Sequence, residues 1–98
     1  MTDLEFTWDP SKAAANLRKH GVGFPEAATV FADDEALLSP DPDHSGDEER
    51  FLLLGLSGTL RLLVVVHCYR QREDQIRIIS ARKATPRERA DYETRWGT

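Results

Sequence analysis

Apolar residues recur along this chain with two different periods, and the switches between them mark its elements. Residues 4–8 alternate and read as a short strand. Asp9-Pro10 then opens a helix, with Asp9 as N-cap and Pro10 in the first turn. Ala13, Leu17 and His20 follow at helical spacing, and Gly21 stops the helix with Lys19 and His20 in its last turn. A second helix is predicted over residues 24–32, with Phe24, Ala27 or Ala28, and Phe31 on one face. Residues 35–39 read as a short strand, and 40–49, rich in Pro, Asp and Gly, as a loop.

Alternation returns over residues 50–56 and 60–69, joined by the hairpin signal Ser57-Gly58-Thr59, and over 75–83 after a turn at 70–74. A last helix is predicted from Pro86 to Trp96. Thr85 can cap it, and Glu88 completes a Thr-x-x-Glu capping box. The order β-α-α-β-β-β-β-α implies an α+β fold, with helices packed on a mainly antiparallel sheet in one domain spanning residues 1–98. Pairing Val66 with Ile78 also sets Cys68 against Ile76 and Val64 against Ser80, apolar residues mostly meeting apolar ones. That register makes His67 and Arg77 cross-strand neighbours and sends Ser80 and Arg82 to the other face.

Composition narrows the class. Charged residues at 31% and apolar residues at 40% fit a folded soluble chain. The apolar runs 51–56 and 62–66 are too short to cross a membrane. An acidic start, Met1-Thr2-Asp3-Leu4-Glu5, argues against a secretory signal, and a lone cysteine, Cys68, suits a reducing cytoplasm. The net charge of −4 argues against nucleic acid until its distribution is considered. Residues 33–49 hold eight acids and no Lys or Arg; setting those aside leaves 13 basic side chains against nine of the 17 acidic ones. A basic body with one acidic loop is the more informative description. That loop begins like a calcium loop at Asp41-Pro42-Asp43-His44-Ser45-Gly46, but Leu52 falls where a bidentate glutamate is required, so calcium is rejected.

The richest segment is the strand-to-helix joint at 76–89, which gathers Ser80, Arg82, Lys83, Arg87 and Arg89. Cations at the end of a rigid strand suit an anion, and arginine's planar fork matches phosphate.

Phe6-Thr7-Trp8-Asp9-Pro10-Ser11-Lys12 followed by Asn16-Leu17-Arg18-Lys19-His20-Gly21-Val22 resembles the N-terminal signature of BrnT-type toxins. Glu49-Arg50-Phe51 and Ile76-Arg77-Ile78-Ile79-Ser80-Ala81-Arg82-Lys83-Ala84 resemble its second half. The resemblance implies a RelE-like fold and an endoribonuclease that arrests translation. It also implies a BrnA-like ribbon-helix-helix antitoxin as partner, with operator DNA bound only through that antitoxin.

Metal-independent RNA cleavage needs a base, an acid and cations around a pentavalent phosphorane. The chain supplies arginines but no carboxylate pair on neighbouring strands, so no metal and no cofactor are expected. Arg82, in the Ser-Ala-Arg motif, is the leading catalytic candidate; the competing role is a surface ion pair with an acid such as Asp91. Arg50 and Ser80 join it, against the plainer roles of a strand-end charge and a tolerated sheet serine. His20 is expected to transfer a proton or touch phosphate, while the helix dipole alone accounts equally well for a cation pair at Lys19 and His20. Trp8, Lys19, Arg77 and Lys83 are the substrate-binding candidates, although a tryptophan at Trp8 is more often core. His67 and Tyr92 are expected to be structural. The alternative function is a non-catalytic module that clamps nucleic acid or an acidic protein segment within a repressor complex. For the toxin, an acidic or amphipathic antitoxin segment is expected to cover Arg82, Lys83, Arg87, Arg89 and Arg95, with the acidic loop meeting the antitoxin's basic half.

Overall fold

The computed structural model describes residues 3–43 and 48–95. The predicted order of elements forms. Strand β1 (Glu5–Thr7) leads into helix α1 (Pro10–His20), where the Asp9 carboxylate accepts from Ser11 N and Gly21 closes the helix at φ 70°. That left-handed position is one where glycine carries no Cβ penalty. The expected second helix splits into α2 (Phe24–Thr29) and a 3₁₀ turn (Val30–Ala32). Strands β2 (Leu37–Pro40), β3 (Phe51–Leu56), β4 (Leu62–Tyr69) and β5 (Gln75–Lys83) follow, and α3 (Pro86–Thr94) ends the described fold. The expected helix end at Trp96 and loop residues 44–47 lie outside the described residues.

The five strands lie in the order β1-β5-β4-β3-β2, antiparallel except where β1 runs parallel to β5. Helices α1 and α2 and the 3₁₀ turn cover one face. There Val22, Phe24, Ala27 and Val30 pack on Leu53, Leu63, Val65, Ile76, Ile78 and Ala81. On the opposite face a smaller cluster of Leu54, Leu62 and Val64 is capped by one residue of α3, Tyr92. Tyr92 is the only buried residue of that helix. Gly55 is where β3 meets the 3₁₀ turn: an added Cβ would lie 2.9 Å from Ala36 Cβ and 3.0 Å from Val30 Cγ1.

Two expectations are corrected. The inward face of α1 is centred on Asn16 rather than Leu17, which is 55% exposed. The β4–β5 register also differs: it is displaced by one residue before a bulge in β5 and by two beyond it. Val66 pairs with Ser80 and His67 with Ile78, so Ile79 is an extra residue with no partner. Cys68, not His67, therefore faces Arg77. His67 points into the helix side, fully buried against Phe31 and Tyr69 with Nδ1 3.1 Å from Val65 O. The bulge shifts the phase of β5: Ile76 and Ile78 precede it on the helix face and Ala81 follows on the same face. Arg77, Ser80 and Arg82, paired with Cys68, Val66 and Val64, consequently share the outer face.

The sheet's β2 edge is blunted. Asp41 N donates to Arg50 O at 3.0 Å, so ladder alternation turns the amide positions of Leu38 and Pro40 outward. Proline has no N–H to offer there, which leaves an incoming strand a single donor on β2.

Candidate active site on the outer sheet face

Registry assembles the site. Carried back from Leu52 and Leu54, the alternation of β3 puts Arg50 on the outer face, level with Cys68, which pairs with Arg77. Arg50 and Arg77 thus stand two strand spacings apart, about 10 Å at the backbone. Their long stems can bring both guanidiniums to one phosphate. The next rows hold Leu52, Val66 and Ser80, then Leu54, Val64 and Arg82. All four candidates, Arg50, Arg77, Ser80 and Arg82, are half-buried.

The electrostatics are uneven. Arg50 Nε is buried and has no hydrogen-bond partner, and Arg77 makes no ion pair among the described residues. A buried donor left unpaired is costly, so such a group marks a place where a ligand oxygen would be favoured. Arg82 is instead gripped by Glu88: Nη1 lies 2.8 Å from Oε1 and Nη2 2.9 Å from Oε2. The Arg82 guanidinium, together with backbone and side-chain donors at Thr85, holds the Glu88 carboxyl down at about 2. The ion pair weighed as the competing role of Arg82 is thus present, with Glu88 and not Asp91 as its acid. Beneath the arginines, burial and the nearby Glu48 push the Cys68 thiol up, which leaves it a neutral packing group.

Asn16 anchors this strand from the helix side, and sequence reasoning passed over it. Its Nδ2 donates to Ala81 O at 2.8 Å and to Val22 O at 2.9 Å, and its Oδ1 accepts from Ala81 N at 3.0 Å. Strand β1 ends level with Arg77, so the side-chain amide stands in for a strand along the uncovered edge of β5. Ala81 lies between Ser80 and Arg82, and fixing its backbone fixes both. The signal was present: Asn16 sits inside the N-terminal motif, at a helical position where asparagine is a poor choice on propensity.

The other candidates are not on this face. Lys19 and His20 end α1 in the helical layer, where Gly21 O accepts from Arg61 Nη2 at 3.1 Å. Trp8 packs edge-on against Phe24, with ring centroids 5.9 Å apart, beside the helix-side core. Lys83 pairs with Leu63 and so points to the helix side. Arg61, in the β3–β4 turn, is likewise engaged, with Glu26 of α2 and with Gly21 O.

A cleft of roughly 440 Å³, lined by Thr7, Arg70, Gln71, Gln75 and Arg77 with Glu5, continues the outer face toward β1. A second, of roughly 670 Å³, lies between Leu38, Phe51 and Tyr69 with Glu49 and Glu73 at its rim. Among the described residues, no group of three or more His, Cys, Asp or Glu could hold a metal ion. Nor is any helix long and apolar enough to cross a membrane.

Fold and face together describe a small α+β protein whose outer sheet face carries three arginines and a serine. The architecture is similar to the crystal structure of the Brucella abortus ribonuclease toxin BrnT, with a TM-score of 0.63 and 21% identity over 84% of this chain and 97% of that one. The expected RelE-like arrangement is compatible with it. The family model described as the ribonuclease toxin BrnT of type II toxin–antitoxin systems matches residues 8–88, and the chain belongs to that family. No curated protein matches it by sequence.

Proposed function

We propose that this chain is a cytoplasmic endoribonuclease toxin that arrests translation by cutting RNA without a metal ion. In the step envisaged, the ribose 2′-oxygen attacks the adjacent phosphorus and the bond to the 5′-oxygen breaks. The 2′-hydroxyl proton leaves to a base, and the 5′-oxygen takes up a proton. The products are a 2′,3′-cyclic phosphate and a 5′-hydroxyl. Arg50 and Arg82 compensate the charge that builds on the phosphorane oxygens, and Ser80 supplies a hydroxyl between them. Arg77 and the cleft beyond it hold the neighbouring nucleotide. Trp8, Lys19, His20 and Lys83 stand on the other side of the sheet and are assigned no part in this step. The observation that carries the reading is the buried, unpaired Arg50 Nε on the same face as Arg77, Ser80 and Arg82.

Membership of a toxin–antitoxin family supports a protein partner that silences the activity. The reading assigns that role to a BrnA-like ribbon-helix-helix antitoxin, with operator DNA reached only through it. The test is cleavage of RNA by the purified protein in EDTA. Products ending in 2′,3′-cyclic phosphate are expected, with Arg50→Ala and Arg82→Ala each slower by about 10²- to 10³-fold. Ends carrying 3′-hydroxyls, or cleavage only on adding Mg²⁺, would overturn the mechanism. RNA bound but never cut would favour a non-catalytic module working within a repressor complex.

A further inference from the structure

A guanidinium carries five N–H donors, and at Arg82 their disposition can be followed one by one. Glu88 takes one from Nη1 and one from Nη2, end-on, and Lys83 O lies 3.3 Å from Nη1. Among the described residues two donors are left over, Nε–H and the remaining N–H of Nη2. Those two point the same way from one edge of the plane, the side-on pair that matches two oxygens of a phosphate. Substrate therefore need not displace the carboxylate. We propose that Glu88 is a positioning residue, which grips Arg82 end-on so that its Nε/Nη2 edge is presented to the scissile phosphate. The inference rests on the reading of Arg82 as a phosphate-binding group.

Glu88 is well placed to act as a fixed jaw. It lies in the first turn of α3, where a negative charge is favoured by the helix dipole. Its Oε1 also accepts from Thr85 N at 2.8 Å, and its own N–H donates to Thr85 Oγ1 at 3.1 Å. The carboxylate is thus held by the backbone of a helix start, and through it the flexible arginine is held too. Catalysis depends steeply on such placement, because a shift of about 1 Å at a reacting centre can cost about 10²-fold in rate.

The test compares the parent protein, E88Q, R82A, the E88Q/R82A double variant and T85A, all assayed well below the lowest melting temperature. Glutamine keeps the helix-capping acceptor but cannot form the ionic fork. In E88Q, kcat for RNA cleavage is expected to fall roughly 10- to 100-fold with KM little changed. In the R82A background, adding E88Q is expected to change nothing. T85A, which removes the Thr85 Oγ1 cap but keeps the Arg82–Glu88 fork and the Thr85 N–H contact, is expected to melt earlier with kcat reduced far less than in E88Q. E88Q cleaving as fast as the parent, or faster as a removed competitor of phosphate would make it, overturns the proposal. So does a loss in the double variant beyond that of R82A, or a loss of kcat in T85A equal to that in E88Q. If R82A itself cleaves at the parental rate, the role of Arg82 fails and the role of Glu88 falls with it. A parent that cuts no RNA overturns the functional reading as a whole.

Discussion

Replacing Asn16 with alanine removes three hydrogen bonds at once and leaves Ala81 N–H, Ala81 C=O and Val22 C=O without partners. Asn16 is 6% exposed, and Ala81 and Val22 are fully buried. A buried polar group stripped of its partner costs about 1–3 kcal/mol. Water entering the space of the lost amide would restore part of that, so the lower end applies to each, about 3 kcal/mol for the site. Domains of this size are stable by only about 5–15 kcal/mol, and each lost kcal/mol lowers Tm by about 4–8 °C. Asn16→Ala should therefore melt more than about 10 °C below the parent, measured by circular dichroism and by urea titration of the same samples. A loss under about 1 kcal/mol would refute the reasoning, because it would mean these groups find water easily. Asn16→Asp adds a pH signature. Its buried carboxylate would face two carbonyl oxygens, raising its folded pKa above the unfolded value of about 3.9. The deficit relative to the parent should grow as pH rises above that value and shrink in acid.

Three more outcomes follow from the polar contacts. Tyr92 donates to Asp33 Oδ2 at 2.6 Å, and burial together with that carboxylate pushes the phenol up to about 12. This contribution is complete below the ordinary tyrosine value and lost as pH rises through about 12, so Tyr92→Phe should lower stability at pH 8 and weaken the alkaline decline seen in denaturant titrations. Glu26 is held at about 2, first by its hydrogen bond to Arg61. Its stabilisation is present above the ordinary carboxylate value and disappears as pH falls toward 2; Glu26→Gln should unfold earlier at neutral pH and show a shallower acid transition. Leu60, 78% exposed at the β3–β4 turn, has φ 64°. Leu60→Gly should raise stability by about 1 kcal/mol, and an unchanged urea midpoint would count against strain there.

The local signals were legible because they act over a few residues. Asp9-Pro10, Gly21 and the Thr85–Glu88 box each report a helix end through bonds made within one turn. The meander was legible for the same reason, since a short hairpin fixes which strands become neighbours. What could not be read was whatever depends on contact between distant segments. Pairing apolar residues across β4 and β5 assumed an unbroken ladder, whereas the pairing lies one residue away from that register before Ile79 and two residues away beyond it, which sets Cys68 and not His67 against Arg77. The motifs nominated all eight candidates alike, but not that Arg50, Arg77, Ser80 and Arg82 share one face while His20, Lys19, Lys83 and Trp8 lie off it. The acid that pairs with Arg82 was not legible because Glu88 reads in sequence as a helix cap, and it is both cap and ion-pair partner.

Ile79 has the standing of a one-letter insertion in a message read two letters at a time. Upstream of it, odd-numbered Arg77 faces outward; downstream, even-numbered Ser80 and Arg82 do. A deletion of that single codon would leave every arginine, the serine and almost the whole composition in place. With the ladder closed up, Arg77, Ser80 and Arg82 would follow one another at every second residue of an unbroken strand and still share the outer face, with Ile78 and Ala81 inward. What Ile79 adds is thus not the shared face but the bend and extra twist that a bulge gives a strand, so its deletion should change how those side chains converge and not which way they face.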